Sequence, residues 1–140
     1  MQLPSVQKPP VLLVIGDMMV LLLVTLIGFA SHDRLDSGIL RILATWIPLL
    51  AGWGLIGVHV GVFDPARAAD PRQLWRPVWA MVLAGPFAGW MRAVWLGSVV
   101  TPIFVVILGG VSALSILAWR SVYLVLHHRT GFKTTANETT

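Results

Sequence analysis

Four apolar runs of about twenty residues dominate the chain, and each holds a single Asp or Arg. They cover about 11–30, 39–62, 78–96 and 102–126. A helix needs about 20 mainly apolar residues to cross a bilayer. In hydrocarbon every backbone amide must be satisfied internally, which leaves helices and closed barrels as spanning structures. The runs are continuous and lack period-two alternation, so the sequence predicts helices. The expected fold is an all-α integral membrane protein, one domain over residues 1–140, in an up-down bundle of four transmembrane helices.

Composition agrees with that reading. The chain is 56% hydrophobic and 11% charged, against about 45–50% and about 25% in soluble domains. An ordinary water-soluble enzyme and a disordered tail protein are thereby excluded. Cysteine is absent, which removes disulfides, thiolate metal sites, iron–sulfur clusters and c-type haem attachment. The formal charge of +4 reads as basic residues at a cytoplasmic face. No basic stripe with interleaved aromatics stands on a polar surface, so nucleic acid is not an expected partner.

Lys and Arg placement predicts the orientation. With four spans, Lys8, Arg67, Arg72, Arg76, Arg120, Arg129 and Lys133 share one side with both termini, and Arg34, Arg41 and Arg92 fall on the other. Both termini are therefore expected in the cytoplasm, and the protein in the cytoplasmic (inner) membrane as a multi-pass chain. The first run reads as a retained helix: it exceeds a signal-peptide core of about 7–15 residues, and Asp17 interrupts it. Between the second and third runs, Asp64-Pro65 and Asp70-Pro71 predict two turns leading to an interfacial Trp75. Trp79 belongs to the same inner interface, with Trp46, Trp90 and Trp95 toward the outer one. Pro48 and Pro86 are expected to kink their spans. Residues 130–140 read as a polar tail.

The polar residues inside the spans need a reason, because charge in a bilayer is costly and is commonly paired or functional. Counting in from the cytoplasmic ends, Asp17 and Arg120 lie at a similar depth of about 9 Å. They can share one layer, as a structural ion pair or as a proton or cation site with Arg120 as counter-charge. His59 is a third candidate for that layer, as a hydrogen-bond partner, a relay, or an axial ligand to haem or a chlorophyll-type pigment. A bis-His haem needs a second intramembrane His, and His32, His127 and His128 lie at or beyond span ends, so no cofactor is predicted. Arg92 near the outer end snorkels, pairs with Asp33 or Asp36 beside His32, or forms an outer anion site. Gly57-x-x-x-Gly61 and Gly85-x-x-x-Gly89 offer close helix packing. No nucleophile elbow, zinc-protease, phosphate-loop or dinucleotide motif is present, and no residue set nominates a metal site. An enzyme is not expected.

Taken in order, Gly16-Asp17, Gly28 with Ser31-His32, Trp46-x-Pro48, Gly52-Trp53, Trp79 with Pro86 and Arg92, and Pro102-x-Phe104 leading to Trp119-Arg120 form a recognisable series. In these residues the chain resembles a family of short bacterial and archaeal membrane proteins catalogued as domain of unknown function 3054. The resemblance covers about residues 11–123. It implies four membrane helices and a prokaryotic cytoplasmic membrane, with Asp17, Arg92 and Arg120 among the characteristic positions. It implies no activity.

Two functions from different classes remain. One is a non-enzymatic structural or accessory subunit of a membrane assembly, with the lipid bilayer and a membrane protein or a second copy as partners. The other is a small oligomeric proton-coupled transporter using Asp17, a layout similar to the small multidrug exporters with their Glu in the first helix. Here the acid is Asp and has a basic residue at its own depth. A haem- or pigment-binding module resting on His59 is a distant third.

Overall fold

The structure, a computed structural model, describes residues 10–31 and 38–136, with side chains through residue 127. Every regular element among the described residues is helical. Four are long: α1 (Val11–Ala30), α2 (Ile39–Val60), α4 (Trp75–Leu96) and α5 (Pro102–Ala136). A single-turn helix α3 (Pro65–Ala68) and a 3₁₀ turn (Pro71–Gln73) fill the connection from α2 to α4.

Three of these helices are long and apolar enough to cross a membrane: α1, α2 and the Pro102–His127 part of α5. The fourth expected span, α4, does not reach that mean hydropathy. Four tryptophans and two arginines among its 22 residues lower it. Its length, about 33 Å at 1.5 Å per residue, is not the obstacle. α5 is the other departure. Its 35 residues make a rod of about 52 Å, so the helix passes the expected end near 126 and continues through residues expected to be tail.

The helices form a closed ring: α2 packs along α4, α4 along α5, and α1 completes the circle against α5 and, less extensively, α2. Each buries one stripe. On α1 the stripe is Leu13, Asp17, Leu21 and Thr25, a four-residue spacing that keeps one narrow face inward. On α4 it is mostly small: Ala80, Ala84, Gly85, Ala88, Gly89 and Ala93. Small residues let backbones approach where lipid supplies no hydrophobic drive for helix association. A Cβ at Gly85 would lie 2.9 Å from Gly109 Cα on α5, and one at Gly89 would lie 2.4 Å from Val105 Cγ2. Gly52 on α2 faces Phe87 and Ala84 of α4 in the same way. Pro48 and Pro86 sit inside helices that continue unbroken through both.

The outward faces are strongly apolar. Leu12, Val58, Val94, Ile103, Val106 and Leu114 are each more than 60% exposed. Contiguous apolar surface on this scale marks contact with a membrane or a partner.

The two Asp-Pro pairs start the two short helical turns. Asp64 accepts the Ala66 amide at 3.0 Å and Asp70 the Arg72 amide at 2.9 Å. Each proline occupies the first helical position, where its missing N–H is not needed.

Candidate functional site: a buried Asp–Arg pair

α1 brings Asp17 and α5 brings Arg120 to the same layer. Arg120 Nη2 donates to Asp17 Oδ2 at 2.6 Å and Nε to Oδ1 at 3.2 Å. This two-point fork is the strong geometry for guanidinium and carboxylate. Asp17 is 0% exposed and Arg120 4%. The third nitrogen, Nη1, donates to the Val62 carbonyl just past α2 at 3.1 Å. The guanidinium carbon stands 5.5 Å from the centre of the Trp53 ring. One arginine thus ties together α5, α1 and the end of α2.

The local sequence explains how the Val62 carbonyl comes to be there. α2 ends at Gly61, which has a φ of +74°, a left-handed conformation that glycine adopts without steric cost. The Val62 amide returns to Gly57 O at 2.8 Å and the Gly61 amide to Val58 O at 3.2 Å, a Schellman-type end. The chain reverses, and Phe63 packs over Gly57, where a Cβ would meet its ring at 2.7 Å. Phe63 also stands edge-on to Trp53, with centroids 5.8 Å apart and planes at 81°. Gly57 and Gly61 therefore shape a helix end, and the helix-packing role expected of them falls to Gly85 and Gly89. Arg76 completes that end: it donates to Val60 O and, through Nε, to Gln73 Oε1 at 2.6 Å. Two guanidinium groups thus sit at the negative end of the α2 dipole.

On the other side of the pair, Gly16 precedes Asp17 and Trp119 precedes Arg120. A Cβ at Gly16 would fall 2.0 Å from Trp119 Cζ2, so the missing side chain makes room for the indole.

His59 is not in this layer. It lies on the exposed face of α2, and its Nδ1 is 2.7 Å from the carbonyl of Leu55, one turn back on its own helix. A carbonyl only accepts, so the contact is a hydrogen bond in the tautomer that carries its proton on Nδ1. The structure replaces His59 in the layer with Trp53 and the Val62 carbonyl. Arg92 makes a separate outer arrangement: Nε donates to Thr45 Oγ1 on α2 at 2.9 Å, and the guanidinium lies 4.7 Å over the Phe104 ring of α5. Thr45 in turn donates to Arg41 O at 3.0 Å. His32 and Asp33, expected beside Arg92, lie outside the described residues, as does Asp36. Among the described residues no three His, Asp or Glu side chains converge as metal ligands do.

A groove of about 400 Å³ runs between α1 and α5, lined by apolar residues such as Val20, Leu23, Ile27, Ala118 and Val122 together with Trp119. Neither Asp17 nor Arg120 lines it. Both carboxylate oxygens face the guanidinium.

Fold and site together define a protein whose described residues are helical, with membrane-length apolar helices and a buried ion pair between α1 and α5. The chain belongs to the family described as Protein of unknown function (DUF3054), which matches residues 14–123. The match contains both halves of the pair and the whole of α2 and α4. No curated protein and no solved structure matches the chain.

Proposed function

We propose that the chain is a four-span protein of a prokaryotic cytoplasmic membrane, with both termini in the cytoplasm, that serves as a non-enzymatic structural or accessory subunit of a membrane assembly. The observation that carries this is the enclosed Asp17–Arg120 fork: every guanidinium nitrogen has an acceptor, and the carboxylate is fully covered. A group that exchanges protons or cations with the outside needs an approach to it. A group that sets helix register needs the opposite, and fixing register is the best-attested role of buried ionic groups.

The four-span reading is supported by the position of α4. Its two large packing faces lie against α2 and α5, both apolar enough to cross. Tryptophans mark its two ends, Trp75 and Trp79 at one and Trp90 and Trp95 at the other, each about half exposed, as in membrane-interface belts. A helix held along its whole length between two spans crosses with them.

Two experiments test this reading. The chain has no native cysteine, so single cysteines at Ala69 and Ser98 can be labelled in sealed right-side-out vesicles. Labelling at 98 and protection at 69 is expected; equal labelling overturns the topology. Purification from native membranes in mild detergent, with mass spectrometry, is expected to recover a stoichiometric membrane partner. Recovery as a lone homo-oligomer, with a proton-coupled flux in proteoliposomes that Asp17→Asn abolishes, overturns the subunit reading in favour of transport.

A further inference from the structure

The connection between α2 and α4 carries two arginines and two aspartates, and the first turn of α4 adds Arg76; the Asp17–Arg120 fork uses none of them, and the structure sorts them by direction. Arg76 turns inward, onto Val60 O and Gln73. Asp64 and Asp70 each turn one carboxylate oxygen onto the backbone amide two residues on. Arg72 is left outward, and Arg67 lies with one edge of its guanidinium over Gly61 and the rest exposed. Arg67 is 48% exposed, with a 3.4 Å contact to Asp64, a kind of surface pair that contributes little. Arg72 is exposed, and among the described residues no carboxylate lies within ion-pair distance of it.

Two indoles follow these arginines in the chain. Trp75 and Trp79 are one helical turn apart on the same face of α4, 50% and 56% exposed. Arg76 lies 4.8 Å over the Trp75 ring, which holds that ring side-on to the segment. Exposed guanidinium groups followed within a few residues by half-exposed indoles supply the two chemistries of a bilayer surface, cations for phosphate and amphipathic rings for the glycerol region. Two tightly capped turns hold this arrangement in place, so little ordering is needed when a ligand binds.

We infer that the segment from Asp64 to Trp79 is a binding site for the headgroup of an acidic phospholipid, with Arg67 and Arg72 on the phosphate and Trp75 and Trp79 seated below it. The inference rests on the four-span reading, in which the end of α2 and the start of α4 together bring this segment to the lipid headgroups. The cysteine-labelling experiment tests that reading separately.

The test is native mass spectrometry of the detergent-solubilised protein with equimolar phosphatidylglycerol and phosphatidylcholine of identical acyl chains. The wild type is expected to retain phosphatidylglycerol by more than tenfold, since each basic residue near an anionic surface contributes a factor of about five. Arg72→Gln touches no internal contact and is expected to lower the ratio about fivefold. Arg67→Gln with Arg72→Gln is expected to bring it close to one, and Arg67→Lys with Arg72→Lys to preserve most of it. Arg41→Gln, at the opposite end of α2, is expected to leave it unchanged. A wild-type ratio near one, retention of neither lipid, or a ratio unaltered by R72Q and by the double Gln variant would each overturn the site.

Discussion

Gly16 and Trp119 touch one residue away from the Asp17–Arg120 pair: the indole fills the space that a Cβ at residue 16 would occupy, to within 2.0 Å. Two adjacent residues on α1 thus meet two adjacent residues on α5, the first pair by shape and the second by charge. Gly16→Ala is expected to destabilise the fold by about 1–3 kcal/mol, the usual range for overpacking, although alanine is the better helix former. In a Trp119→Phe background the same substitution is expected to cost less. Equal costs in the two backgrounds, read by unfolding in mixed micelles, would show that the indole does not set this crossing.

The ion pair itself predicts strong coupling. Asp17→Asn or Arg120→Gln alone leaves a buried polar group facing a mismatched partner, a loss of about 3–5 kcal/mol for pairs of this kind. Asp17→Leu combined with Arg120→Met is expected to recover most of that loss, since apolar replacements of similar volume are often neutral. Additive effects in a double-mutant cycle would mean that the two side chains stabilise the bundle independently.

At the end of α2, Gly61→Ala forces a side chain into left-handed backbone at about 1–2 kcal/mol, directly against the Arg67 guanidinium. The larger consequence is local. With the Schellman-type end disturbed, the Val62 carbonyl shifts away from Arg120, and amide hydrogen exchange at residues 61–63 is expected to rise well before α4 loses protection. Unchanged exchange there would separate Gly61 from the Arg120 site.

Between α4 and α5, Gly85→Ala places a methyl group 2.9 Å from the Gly109 Cα, which is backbone and has little room to give. Gly110, the next residue on α5, has nothing within 4 Å of a built Cβ. Gly110→Ala is therefore expected to stabilise by about 0.5–1 kcal/mol through helix propensity, and Gly85→Ala to destabilise. Thermal unfolding of the two variants side by side checks the signs.

Hydropathy made the long helices legible because span length is a property of a run of residues, and no neighbour is needed to read it. Depth along the chain likewise placed Asp17 and Arg120 in one layer. Depth alone misplaced His59, which shares their level but not their direction. Six residues at 100° each put it about 120° around α2 from Trp53, and that rotation was available in the sequence. Gly61 was harder to read: a glycine four residues after another resembles a packing motif, and only the reversal at Val62 reveals a helix end. The mean hydropathy of α4 is low because its tryptophans score as weakly apolar, whereas its burial depends on alanines and glycines that only neighbouring helices can cover. Gly16 and Trp119 gain their meaning from each other, across more than a hundred residues of chain.

That separation has a consequence for biogenesis. Asp17 and Arg120 are 103 residues apart, and α1 finds its main packing partner in α5, made long after it. At translation rates of about 5–20 residues per second, α1 exists for roughly 5–20 s before its counter-charge has been synthesised. During that interval the Asp17 carboxyl has no guanidinium beside it. α1 can therefore take its final place in the bundle only once α5 has been made.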